Sequence, residues 1–165
     1  MPATCCSIIF SIDRVEARIQ ELGIGEFFLS VDENAMHQNP ERSIENKTCP
    51  DAAAALINQL YTDKNNSHEH RQFVINMLDS CLTGQSRLTK PLLGTNATIG
   101  HKTGTGFNDA FGKPQGINDV GFVRMPNKHY YAIAVFVKSS DYDMVDTEQI
   151  IADISEIVYE YIKEN

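Results

Sequence analysis

At Thr83-Gly84 the hydrophobic period of this chain changes from helical spacing to strict alternation, and that switch limits the folds open to it. Before the switch the pattern is helical. Within residues 5–22, Ile8, Ile12, Val15, Ile19 and Leu22 recur three and four apart, and Gly23 is a stop signal. Pro50 sits where a first helical residue belongs, with Thr48 or Cys49 as its cap, ahead of an Ala-rich amphipathic run over 51–61. A further helix is expected over 67–82, with Phe73, Met77, Leu78 and Cys81 on one face and Thr83-Gly84 ending it. After the switch, residues 95–102, 120–124 and 130–138 read as strands, with a turn at Pro126-Asn127. Both alternating sets of 130–138 are apolar, which predicts a strand covered on both faces. Residues 146–163 form an amphipathic helix with Ile150, Ile151, Ile154, Ile157, Val158 and Tyr161 as its stripe. Helices, then an antiparallel meander, then a helix packed on it make an α+β fold. At 165 residues the expectation is one domain, helical over 1–90 and sheet-forming over 91–165.

Between the first two helical patterns, residues 24–49 show no periodicity and are rich in Asn, Glu and Ser. Phe27-Phe28-Leu29 and Met36 anchor that stretch, so a packed, functional loop is expected rather than a floppy one. Against 14 Lys and Arg stand 22 Asp and Glu, a formal charge of −8. Such a surface repels phosphate backbones and anionic bilayers, which argues against nucleic-acid and membrane partners. No run approaches the roughly 18 apolar residues that cross a bilayer. The Met1 end shows no secretory pattern, which by itself points to the cytoplasm. Cys5, Cys6, Cys49 and Cys81 form no metal-binding spacing, and no metal or other cofactor is expected; they read as small buried hydrophobes. His68 and His70 are two apart on a helix start and face different ways, and His129 precedes a strand as a surface residue.

The strongest chemical signal is His101-Lys102-Thr103-Gly104-Thr105-Gly106, at the end of an expected strand. The Lys102 ammonium is suited to hold a substrate carboxylate, and the Thr103 hydroxyl adds a hydrogen bond. Gly104 leaves room for a substrate along the strand edge.

Lys-Thr-Gly is one of three signatures shared by class A β-lactamases and penicillin-binding proteins. The surroundings resemble the class A serine β-lactamases. Thr83-Gly84-Gln85-Ser86-Arg87-Leu88, then Gly94-Thr95 and His101-Lys102-Thr103-Gly104, are similar to that family's helix-to-strand passage. Asn118-Asp119-Val120-Gly121 is similar to the entry of its next strand, and the likeness runs over essentially the whole chain. It implies a partial β-lactamase/transpeptidase-like fold with an omega-type loop, acting on β-lactam small molecules without a cofactor. Glu33-Asn34-Ala35-Met36-His37 looks like the omega-loop segment, which makes Glu33 the deacylation base and Lys102 the second catalytic group. Thr103, Gly104, Thr105 and His37 become substrate-binding positions. His37 stands where most members carry Asn, as in a smaller branch with extended cephalosporin activity. The Arg–Asp pair that braces this loop in many members matches Val31 and Asn46 here, so that brace is expected to be absent. Arg87 resembles a second carboxylate anchor one residue off its spacing, with a plain surface arginine as the alternative. His101 also matches the smaller branch, where a structural role fits it as well. D-alanyl-D-alanine peptidases share Lys-Thr-Gly but lack the Glu33 loop.

Two family signatures are missing. No serine in the chain has lysine three residues on, and Ser-Asp-Asn does not occur. By resemblance, Cys6-Ser7-Ile8-Ile9-Phe10 matches the helix after Ser-Asp-Asn, which puts Met1-Pro2-Ala3 at the lost motif. The expectation is an N-terminally truncated member, inactive alone for want of a nucleophile. A separately made N-terminal fragment, or self-association through an exposed core, is the expected partner. The alternative is a non-catalytic protein that binds β-lactams or peptidoglycan-like peptides. The resemblance implies a periplasmic or secreted location.

Overall fold

The computed structural model describes residues 11–62, 67–108 and 110–165. The start of the expected first helix, with Cys5, Cys6 and Ile8, lies outside the described residues, as does Met1-Pro2-Ala3. The chain separates into two compact units, Met1–Ala53 and Ala54–Asn165.

The first unit opens with α1 (Ile12–Glu21), which closes through Leu22 onto Gly23 at φ +63°. A left-handed residue there lets the chain leave the helix without a Cβ clash. Two-residue strands β1 (Phe27–Phe28) and β2 (Lys47–Thr48) then pair antiparallel, Phe27 opposite Thr48 and Phe28 opposite Lys47. They pinch the ends of the intervening segment together. That segment holds a short helix, α2 (Glu33–Gln38), and a 3-10 turn, Pro40–Glu45. The aperiodic stretch is therefore a closed loop with its own local order. It showed no periodicity because neither helical piece is long enough to display one.

Helix α3 (Pro50–Thr62) follows, with Pro50 at its start and the Ala52 amide donating to Cys49 Sγ at 3.5 Å. Cys49 thus serves as the cap, half-buried rather than buried as expected. Helix α4 (His68–Asp79) is capped by Ser67, whose hydroxyl accepts from the His70 amide. Its inner residue is Ile75; Phe73 and Met77, expected on the buried face, are exposed, and Leu78 is half-buried.

A three-stranded antiparallel sheet organises the second unit, in the order β3 (Thr98–Thr105), β4 (Gly116–Arg124), β5 (Tyr130–Lys138). β3 begins and ends three residues later than its alternation suggested, so Lys102-Thr103-Gly104 lies inside the strand. β4 begins earlier, at Gly116, and takes in Asn118 and Asp119. Alternation gives the sheet two working faces. On one, Ile117, Val123, Ile133 and Val135 pack with Leu88, Leu92 and the terminal helix α5 (Met144–Glu164). On the other, Phe122 packs with Ile57 of α3 and Ile75 of α4, and its ring lies 4.8 Å from that of Tyr61. β5 is covered on both faces only in part: Ile133 and Val135 are buried, the rest half-buried or exposed.

The buried line of α5 is Thr147, Ile151, Ala152, Ser155 and Tyr159; of the apolar stripe read in the sequence, Ile151 lies on it and Val158 packs half-buried beside it. Two polar residues sit in it because each is satisfied there: Thr147 Oγ1 donates to Asp143 O and Ser155 Oγ to Leu88 O. Ile154, Ile157 and Tyr161 remain exposed on the outer face.

One hydroxyl in this core is unmatched. Tyr131 Oη is buried with no hydrogen-bond partner among the described residues, and burial, then the nearby Tyr159, pushes its phenol up to about 12. Because the folded value lies above the ordinary 10.0, stability is unaffected below pH 10 and falls as pH rises toward about 12. Tyr131→Phe is expected to stabilise the fold by about 1–2 kcal/mol and to flatten that alkaline decline. Thermal unfolding between neutral and alkaline pH measures both.

Candidate active site

Lys102, Thr103, Gly104 and Thr105 are consecutive on β3, an edge strand whose only partner among the described residues is β4. Lys102 is exposed, and its ammonium donates to Thr103 O on its own strand. Thr103 is half-buried against the turn after α4, where its hydroxyl lies 2.7 Å from that of Thr83. Gly84 makes this approach possible. Its φ is +66°, and a Cβ there would clash with Thr103 Cγ2. Cys81, half-buried, brings its Sγ to 3.3 Å from Thr83 Oγ1. Gly104 leaves the strand without a side chain at a point where a Cβ would meet only Asn118 atoms, at 3.8 Å or more. The arrangement offers a cation, a hydroxyl and a bare stretch of edge backbone side by side.

Arg87 corrects the expectation of an anchor open to substrate. It is 4% exposed, and four of its five N–H groups are bound within the chain. Nε donates to Glu148 of α5 at 2.9 Å, Nη1 to Asn118 O and Gly104 O, and Nη2 to Thr105 Oγ1 at 2.8 Å. A buried guanidinium needs such partners. It braces β3, β4 and α5 together and acts on Thr105 rather than presenting a free charge. Glu148 could not be found from sequence, because 61 residues separate it from Arg87 and no local spacing links them.

His101 points to the opposite face of β3 from Lys102, as alternation requires. It is 2% exposed. Its Nδ1 lies 2.9 Å from Asp119 Oδ1, and its Nε2 lies 3.2 Å from Thr89 Oγ1. Asp119 is itself fully buried and also accepts from the Leu88 amide.

In the first unit, Glu33 opens α2, where the Asp32 side chain caps the helix by accepting from the Ala35 amide at 2.8 Å. His37, one turn on, brings Nε2 to 3.4 Å from Glu33 Oε1, and both side chains are at least half exposed. The carboxylate therefore has a partner on its own helix. The brace expected to be missing from this loop is replaced by a neutral one. Asn46 Oδ1 accepts from the Ser30 and Val31 amides, and its Nδ2 donates to Val31 O at 2.8 Å. Arg42 pairs with Glu45 at 2.7 Å and holds that carboxyl below its usual range, while the Arg42 guanidinium is held above its own. An amide side chain can bond to backbone on either side, so it closes the loop without an opposite charge across from it. Among the described residues no group of three or more His, Cys, Asp or Glu side chains is placed to hold a metal ion.

Three comparisons bear on this geometry. The pattern of the β-lactamase enzyme family matches residues 3–162. A β-lactamase of Phocaeicola vulgatus is 35% identical over 134 residues, covering 81% of this chain and 42% of that protein. β-Lactamase VEB-1 of Pseudomonas aeruginosa is 30% identical over 163 residues, covering 94% of this chain and 54% of its own length. Among solved structures, a class A β-lactamase from Bacteroides cellulosilyticus superposes with a TM-score of 0.89 at 31% identity, over 96% of this chain and 57% of that one. The chain thus spans about half the length of these relatives. A match over nearly every residue, in sequence and in fold, places this chain in the β-lactamase enzyme family, among its class A members.

Proposed function

We propose that this chain supplies the carboxylate-recognition and deacylation half of a serine β-lactamase acting on penicillins and cephalosporins. The observation that carries this reading is the exposed edge of β3, with Lys102, the Thr103–Thr83 hydroxyl pair and Thr105 held by Arg87. In the proposed reaction Lys102 attracts the substrate carboxylate, and the hydroxyls of Thr103 and Thr105 orient it. Gly104 leaves the edge backbone open to the substrate amide. Glu33, paired with His37, positions the water that releases the acyl group.

Acylation needs a serine with a lysine one helical turn away, and these 165 residues contain no such pair. We therefore assign the chain no hydrolytic turnover by itself. Acylation would depend on residues carrying Ser-x-x-Lys and Ser-Asp-Asn, which correspond to the half of the relatives that this chain does not span. The outer face of α5 and the edge of β5, which no described residue pairs, give those residues apolar surface to cover. Self-association through the same surface is the competing outcome, and a periplasmic or secreted setting goes with the proposed activity. A second reading, a non-catalytic lactam-binding protein, is favoured by the intact β3 edge alone.

Titration with benzylpenicillin, followed by amide chemical shifts, tests the site. Millimolar ligand is expected to shift residues 102–105, and Lys102→Ala to weaken binding about tenfold. Unmoved resonances at residues 102–105 would remove the reading.

A further inference from the structure

The chain Thr89–His101–Asp119 is a buried polar cluster on the sheet that the proposed reaction leaves unused. Its order of groups, a hydroxyl, an imidazole and a carboxylate, resembles a hydrolytic triad. Thr89, however, is buried at 8% exposure, its hydroxyl turned to His101. The cluster holds structure in place instead.

Asp119 presents acceptor oxygens to both the Leu88 amide and His101 Nδ1, so Nδ1 carries the proton. With Nδ1 turned to Asp119, the other ring nitrogen, Nε2, meets the Thr89 hydroxyl at 3.2 Å. Those bonds fasten the segment at Leu88–Thr89 to β3 and β4. Arg87 immediately precedes that segment, and its guanidinium returns to β3 at Gly104 O and Thr105 Oγ1. The result is a closed loop of bonds: from His101 to Thr89, along the backbone to Arg87, and back to β3. Lys102 and Thr103 lie between its two points of attachment. Among the described residues β3 has a ladder on one side only and lacks the second set of backbone bonds that stiffens a central strand. We propose that His101 is a positioning residue that staples the edge strand on both sides of Lys102-Thr103 by setting where Arg87 sits. This rests on the reading of β3 as the carboxylate-recognition edge.

The test uses the full chain, labelled with nitrogen-15. In the native protein the His101 ring is expected as the Nδ1–H tautomer, and the opposite tautomer overturns the proposal without any variant. Thr89→Val, which keeps shape but loses the hydroxyl, is expected to shift the Arg87 Nε–H resonance and weaken benzylpenicillin binding about fivefold. Thr89→Ser, which restores the hydroxyl, is expected to recover both. An Arg87 Nε–H signal that ignores Thr89→Val sinks the proposal. If benzylpenicillin moves nothing in the native chain, the functional reading fails, and the Arg87 resonance still decides the positioning role.

Discussion

Purified alone, the chain is expected to leave a chromogenic cephalosporin at the background rate and to show no acyl adduct by intact mass. Mixed or co-expressed with the N-terminal half of a class A relative, it is expected to gain at least about 10³-fold in rate. The size follows from what is missing. Without a serine in a Ser-x-x-Lys pair no covalent intermediate is expected, and without that serine's own amide half of the oxyanion site is missing. Groups that act as a unit lose nearly everything when one is absent. The control is Glu33→Gln in the reconstituted enzyme, which is expected to accumulate the acyl-enzyme and so separate deacylation from assembly. If the mixture gains no rate while size measurements show the halves associated, the assignment of this chain as the complementary half is wrong. If the isolated chain turns over with a covalent adduct, another residue serves as nucleophile.

The largest expected effect on stability is at Phe122. Its side chain is fully buried and joins Ile57 and Ile75 under the sheet, with the Tyr61 ring tilted against it at 4.8 Å and the Arg124 guanidinium 5.1 Å from the ring centre. Phe122→Ala is expected to cost about 3–5 kcal/mol, through lost transfer energy and the cavity left behind. Domains of this size hold only about 5–15 kcal/mol in total. The variant should therefore melt far below the native chain, or fail to accumulate folded. Gly100 gives the complementary case. A Cβ there would run into the Phe122 ring and Asp79 Oδ1, so Gly100→Ala overfills the same site. Thermal unfolding of the two variants, with Phe122→Leu as a milder control, reads out the packing. A melting temperature for Phe122→Ala close to native would show that this second cluster contributes little.

Much of the candidate site is legible in the sequence because its chemistry is local. Lys102-Thr103-Gly104 and Glu33 with His37 are each a short run or a single helical turn, and a linear chain displays such spacings directly. The order of elements was legible for the same reason, since period 3.6 and period 2 are properties of neighbouring residues. Bounds were less so. β3 runs on to Thr105 because Lys102, Thr103 and Gly104 find ladder partners in Val120, Asp119 and Asn118, and a partner strand does not show in one strand's own pattern.

What only the tertiary structure decided were relations over long sequence separations. Arg87 looked like a candidate open to substrate until Glu148, 61 residues on, was seen to hold it inside. The Asn46 brace was missed because a family ion pair was sought, whereas the fold uses a neutral side chain bonded to backbone. The apolar stripe of α5 places Ile151 and Val158 on the core but not Thr147 and Ser155, which are polar by composition and satisfied in place. By itself the sequence determined the periodicities, the Lys-Thr-Gly run and the absence of a Ser-x-x-Lys pair, all of them neighbour relations. The tertiary structure alone decided which polar groups are buried and with whom. Burial is tolerable only when donor and acceptor meet, and that meeting is made by folding rather than by residue type.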